Sequence, residues 1–155
     1  MASMLTVAAY ICQRYEQEYG GKIDEMKLHK LLYFAQRESL VQSDKPLFRD
    51  VFHGWKYGPV MKKLRQPYQE NAMPKISQKD TQALAPVMDV VFREYAGKES
   101  MSLSRLTHGE ISWRKSRKGI SPAQNSDNEI KLADIRLDAA RIRQRREQLE
   151  ENGLL

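Results

Sequence analysis

Residues 25–39 read Glu-Met-Lys-Leu-His-Lys-Leu-Leu-Tyr-Phe-Ala-Gln-Arg-Glu-Ser. Leu28, Leu31, Leu32 and Ala35 recur at i, i+3, i+4 and i+7, which is one face of an α-helix. Phe34 widens that face, while Met26 and Tyr33 carry apolar surface round the other side. Only a narrow strip, Lys30 and Arg37, is clearly polar over the middle turns. A helix this apolar around its circumference cannot lie on a surface with one side wet, so the pattern predicts a central helix with others packed about it. Asp24 is the expected N-cap. Gly20-Gly21 before it and Ser43-Asp44-Lys45-Pro46 after it bracket the element.

Outward from this axis, Val7, Ala8, Ile11, Cys12, Tyr15 and Tyr19 predict a first helix over about 4–19. After Pro46 the texture changes to alternation, with Val51, His53, Trp55 and Tyr57 opposing Phe52, Gly54 and Lys56. This predicts a small β-hairpin at about 47–57 with Arg49-Asp50 in its turn. Gly58 stops it, and Pro59 suits the first turn of a helix from about Val60 that Pro67 ends near Arg65. Leu84, Val87, Met88, Val91, Phe92 and Tyr95 give the cleanest helical period, capped by Ser77 or Asp80, kinked near its start by Pro86 and closed by Gly97. Ser102 reads as the cap of a short helix carrying Leu103 and Leu106, followed by a turn over 107–117. A loop over 120–128 leads to a last helix from about 132 to 151. The fold expected is mainly α, a compact bundle of about six helices around the 25–39 axis with one small hairpin, in a single domain over 1–155.

Composition narrows the function. The chain has 155 residues, 41% of them hydrophobic and 30% charged, enough for a core without disulfides or metals. One cysteine, Cys12 on the apolar face of the first helix, excludes a disulfide framework and fits a reducing cytoplasm. Three histidines without metal-ligand spacing give no metal site, and no apolar run approaches the roughly 20 residues of a membrane span. No cofactor motif is present. The net charge of +6 permits an acidic or nucleic-acid partner without requiring one.

His108-Gly109-Glu110 beside Trp113 is the nearest approach to an acid–base pair, but no nucleophile motif or phosphate-cradling loop accompanies it. Capping and backbone hydrogen bonding explain it better than catalysis, and no enzymatic activity is expected. Trp55 and Tyr57, followed by Gly58-Pro59, read as core packing in a tight strand-to-helix turn, with an aromatic binding platform as the alternative. Arg114, Lys115, Arg117 and Lys118 make a basic cluster next to Trp113, suited to an acidic protein surface or a phosphate backbone. The last helix carries Arg141, Arg143, Arg145 and Arg146, but from Lys131 onward six basic side chains stand among five acidic ones, a mixed face.

Three strings taken together are specific: Lys27-Leu-His-Lys-Leu-Leu-Tyr-Phe-Ala35, Trp55-Lys-Tyr-Gly-Pro-Val60 and Leu106-Thr-His-Gly-Glu-Ile-Ser-Trp113. Their order and spacing resemble the Panacea domain, the SocA-like antitoxin family of bacteria and phages. The matching positions are Leu28, Lys30, Leu31, Leu32 and Tyr33, then Trp55, Tyr57, Gly58 and Pro59, then Leu106, Thr107, His108 and Trp113. The resemblance covers about residues 4–140, and the arginine-rich tail is where this chain departs from it. It implies a mostly helical domain acting as the antitoxin of a two-gene pair. The implied partner is a toxin encoded by a neighbouring gene and neutralised by direct contact, with delivery to a protease as adaptor in at least one type. It carries over no catalytic residue and no cofactor, so the motif positions are expected to be mainly structural. Toxin contact is expected at Arg114, Lys115, Arg117, Lys118, Arg141, Arg145 and Arg146, and truncation after Ala140 is expected to spare the fold. The alternative is a nucleic-acid-binding regulator using residues 113–118 and the C-terminal arginines.

Overall fold

A computed structural model describes residues 1–155. Seven α-helices and one two-stranded antiparallel sheet follow in the order α1 (Met4–Tyr19), α2 (Glu25–Ser43), β1 (His53–Trp55), β2 (Gly58–Val60), α3 (Lys62–Gln69), α4 (Gln78–Val91), α5 (Ser100–His108), α6 (Ile111–Ser116) and α7 (Leu132–Glu151). A single π-helical turn, Phe92–Ala96, extends α4. The chain is mainly α, as its periodicity requires, and no helix is long and apolar enough to cross a membrane.

The central helix is α2. Asp24 caps it by accepting the Lys27 N–H at 2.9 Å, and Asp44 closes it in the left-handed region at φ 58°. Every residue from Lys27 to Leu40 is buried, because α1, α4, α5, α7, β2 and the π turn all pack against it. The strip expected to stay polar is therefore not wet: Lys30 is 1% exposed and Arg37 3%. Buried polar groups persist only when they are hydrogen-bonded, and these mostly are. Gln36 clamps the chain after α2, donating to Phe48 O at 2.9 Å and accepting from Leu47 N at 2.7 Å. Lys27 Nζ donates to Ala96 O at 3.3 Å.

Several boundaries differ from expectation for physical reasons. The hairpin lies at 53–60, not 47–57, with Lys56-Tyr57 as its turn and Gly54 opposite Pro59. Segment 52–54 does pair, but with a distant strand-like stretch: Ile130 N donates to Phe52 O at 2.8 Å and Gly54 N to Asn128 O at 3.0 Å. Pro59 thus sits on a sheet edge, where a missing N–H costs nothing, and α3 begins at Lys62 with Pro67 inside it. Lys63, whose carbonyl Pro67 leaves free, is exposed to water. Pro86 is likewise in the body of α4, on its outer face, while Ser77 supplies the cap, accepting from Asp80 N at 3.0 Å. Glu99 and not Ser102 precedes α5, and the expected turn over 107–117 is mostly the helix α6.

Candidate functional site

The three sequence strings, beginning at residues 27, 55 and 106, meet in space around Lys30. Its ammonium donates to Pro59 O at 3.3 Å, tying α2 to the hairpin. Gly58 lies between them at φ +119°, and a Cβ there would fall 2.5 Å from Thr107 Oγ1 and 2.8 Å from Lys30 Cε. Only glycine permits both that backbone and that approach. Ser104 Oγ donates to Tyr57 O at 2.6 Å, and Trp113 Nε1 donates to Trp55 O at 2.8 Å, so α5 and α6 hold the hairpin from the other side. His108 stacks on Trp113 with ring centroids 4.1 Å apart and planes 10° from parallel. Leu28, Leu31, Tyr33 and Thr107 are fully buried, whereas Tyr57, expected in the core, is 46% exposed because it lies in the hairpin turn.

A cavity of about 240 Å³ opens beside this junction, lined by Met26, His29, Lys30, Trp55, Tyr57 and Val60 among others. His29 Nδ1 accepts the Met61 N–H at 3.0 Å, which fixes the neutral tautomer with Nε2 3.1 Å from Glu25 Oε2. Burial first, and then neighbouring cations, push its pKa down to about 4. Burial likewise brings the Lys30 ammonium down to about 8.

A second polar centre joins α2, α6 and α7. Asp138 on α7 accepts the backbone N–H groups of Ile111 at 2.7 Å and Ser112 at 3.0 Å, capping α6 from outside its own chain segment. Tyr33 Oη pairs with Ser112 Oγ at 2.7 Å. Arg37 forms a buried ion pair with Glu110 and donates to Tyr95 Oη. Burial drives the Glu110 carboxyl up to about 7, with Asp138 adding to the rise and Arg37 opposing it. His108 and Glu110 therefore face different partners, an indole and a guanidinium, and do not converge on a common point.

This network floors a cavity of about 220 Å³ whose wall includes Leu106, Ile142, Arg141 and Arg145. Arg141 and Arg145 are exposed and form no ion pair with any carboxylate. The other expected contact residues are placed unequally. Arg114, Lys115 and Lys118 are exposed on α6 and the turn after it. Arg117 is buried, donating to Gly54 O at 3.1 Å and Ser121 O at 2.8 Å, so it braces the hairpin. Arg146 spends both terminal nitrogens on buried Glu38, at 2.9 and 2.7 Å. Arg143 caps α2, donating to Leu40 O at 2.8 Å. Sequence reasoning missed Asp138, although one signal was available. It falls on the apolar stripe Ile135–Ala139–Ile142 of α7, where a carboxylate must have a buried partner.

Comparison with known proteins decides the family. Residues 28–114, more than half of the chain, match the model described as "Antitoxin SocA-like, Panacea domain". The chain belongs to that family. Over 38 residues it is 47% identical to Antitoxin SocA of Caulobacter vibrioides, an alignment taking in 24% of this chain and 20% of that protein. The match thus spans about a fifth of the curated relative's length. No solved structure matches. The Panacea match runs from α2 through the hairpin to α6, which is the junction around Lys30, and α7 with its arginines lies beyond it.

Proposed function

We propose that this Panacea-domain protein is the antitoxin of a two-gene toxin–antitoxin pair, acting in the cytoplasm as one domain over residues 1–155 and without catalysis. It neutralises a partner protein by direct contact. The observation that carries the reading is the family match across residues 28–114. The docking face is the cationic mouth formed by Arg141 and Arg145 above Leu106 and Ile142, with Arg114 and Lys115 on neighbouring α6 and Lys118 in the turn after it. Arginine suits such a face, because its planar fork pairs bidentately with carboxylates and is weakly hydrated. A standard interface covers roughly 800 Å² per partner, more than either cluster, so both contribute against an acidic toxin surface.

The pairing of the other basic side chains weakens the nucleic-acid reading. Arg117, Arg143 and Arg146 are committed to groups of the protein itself, leaving no continuous basic stripe for a phosphate backbone.

The test is co-expression with the product of the neighbouring gene. Growth rescue and co-purification are expected from the parent and are lost on charge reversal at Arg141 and Arg145. A partner whose half-life falls only when the antitoxin and a cellular protease are both present identifies delivery as an adaptor. Absence of any toxic or bound neighbouring product overturns the reading.

A further inference from the structure

Lys30 presents a problem that its structural role does not solve. An ammonium has three donors and no acceptor capacity, yet this one, 1% exposed, has a single acceptor, Pro59 O at 3.3 Å. No carboxylate lies within ion-pairing distance of it. Burial lowers its pKa only to about 8, so at neutral pH it still holds its proton. Replacing buried ionic groups with well-packed apolar residues of similar volume is often neutral or stabilising, so packing alone gives no reason for a lysine here.

The cavity beside it has the same imbalance. The Trp55 indole N–H is buried without an acceptor. Asn125 accepts the Lys56 N–H through Oδ1 at 3.1 Å, which leaves its amide N–H groups as donors. Arg65, with its guanidinium carbon 5.3 Å from the Trp55 ring centre, uses only Nε, on Glu25. The carboxylate at the rim, Glu25, is already taken up by His29, Arg65 and Gln69 at 3.1 Å each. His29 offers nothing further, since both ring nitrogens are engaged. Donors are left over and acceptors are used up.

We propose that this cavity binds a small-molecule oxyanion, a phosphate or carboxylate carried on a flat apolar body, with Lys30 as its counter-charge. The oxyanion supplies only acceptors, which is what Lys30 and Asn125 lack, and charge-assisted hydrogen bonds of this kind are the strong ones. Met26, Trp55, Tyr57 and Val60 provide the apolar walls for the body. This site is separate from the Arg141–Arg145 mouth and does not depend on the antitoxin reading.

Calorimetric titration of the full chain with phenyl phosphate and with benzoate, at ionic strength matched by sodium chloride, tests it. Saturable binding of at least one probe at about millimolar Kd or tighter is expected. Preference for phenyl phosphate assigns a phosphate ester, and preference for benzoate a carboxylate. Lys30→Met and Asn125→Asp are each expected to weaken binding about tenfold or more, the loss of a hydrogen bond to a charged group. Asn125 is exposed on a loop, so Asn125→Asp keeps the fold even where Lys30→Met does not. Bound probe also raises the Lys30 pKa, read by nitrogen NMR. Absence of saturable binding to the parent, or undiminished binding to folded Lys30→Met or to Asn125→Asp, overturns the proposal.

Discussion

The hydroxyl of Tyr33 donates to Asp138 Oδ2 at 3.1 Å, across 105 residues of sequence. That contact places a fully buried carboxylate at the meeting point of α2, α6 and α7. Asp138 replaces water for two backbone N–H groups that α6 cannot satisfy internally, and its charge lies where the positive end of a helix favours an anion. The C-terminal helix is thereby built into the same polar core that the motif helix organises.

Truncating this carboxylate leaves the Ile111 and Ser112 backbone N–H groups without an acceptor, while the Tyr33 hydroxyl keeps Ser112 Oγ at 2.7 Å. Asp138→Ala is expected to cost about 3 kcal/mol, against roughly 1 kcal/mol for Tyr33→Phe, which removes a donor that two acceptors share. In the double variant the two losses should fall short of their sum, because they act on one network. Urea unfolding of the four proteins checks both points, and strict additivity would dissolve the network.

How much of this was legible in the sequence depended on range. The α1, α2 and α7 boundaries follow local periodicity and caps, and the structure keeps them within a few residues. The hairpin was displaced because Arg49-Asp50 has turn chemistry, whereas the actual pairing of 52–54 runs to 128–130, a partner no local window contains. Proline positions misled for a related reason: Pro67 read as a helix end and Pro86 as a kink near a helix start, but both lie within helices, and Lys63 and Gln82, the residues four before them, are exposed. In the candidate site, the motif residues were legible and their convergence on Lys30 was not. The free status of Arg141 and Arg145, against the committed Arg117 and Arg146, is a matter of tertiary pairing that residue type cannot signal.

Leu31 is fully buried on the axis of the core. Leu31→Ala should cost about 2–5 kcal/mol by opening a cavity, with neutralisation lost in proportion to folded protein. An unchanged thermal midpoint would contradict the central role of α2.

Trp113 donates to Trp55 O and carries His108 on its face. Trp113→Ala is expected to remove about 3–5 kcal/mol and release the hairpin, visible as faster amide exchange over 53–60. His108→Gln should keep the fold and growth rescue. A folded His108→Gln protein that fails to rescue would move His108 from architecture to function.

His29 gives a pH dependence whose sign is fixed. Its folded pKa, about 4, lies below the ordinary 6.5, so the folded state takes up the proton less readily than the unfolded chain. The stability it contributes is present above pH 6.5 and is lost as pH falls toward 4. Relative to His29→Gln, the parent should lose about 2 kcal/mol between pH 7 and pH 5. Glu110, raised to about 7, acts in the opposite direction over the same range, which is why the measurement is the difference between parent and variant. A pH-independent difference would show that His29 is not held neutral.

The C-terminal helix separates folding from docking in one pair of variants. Truncation after Ala140, harmless on sequence grounds, removes Arg146 from Glu38, a carboxylate 1% exposed whose remaining side-chain partner is Gln42. It also removes the Arg143 cap from the end of α2. Leaving the Glu38 carboxylate without its half-buried guanidinium partner costs about 1–3 kcal/mol, so the truncated chain is expected to be destabilised and to fail in rescue for that reason. Arg141→Glu with Arg145→Glu leaves both buried pairings intact and touches only exposed side chains, so stability should stay within about 1 kcal/mol of the parent. If docking uses the cationic mouth, this folded double variant loses co-purification with the neighbouring gene product, and the parent's affinity falls as salt is added. If it rescues growth as well as the parent, the toxin docks elsewhere, with the exposed Tyr57 edge of the hairpin the next surface to reverse.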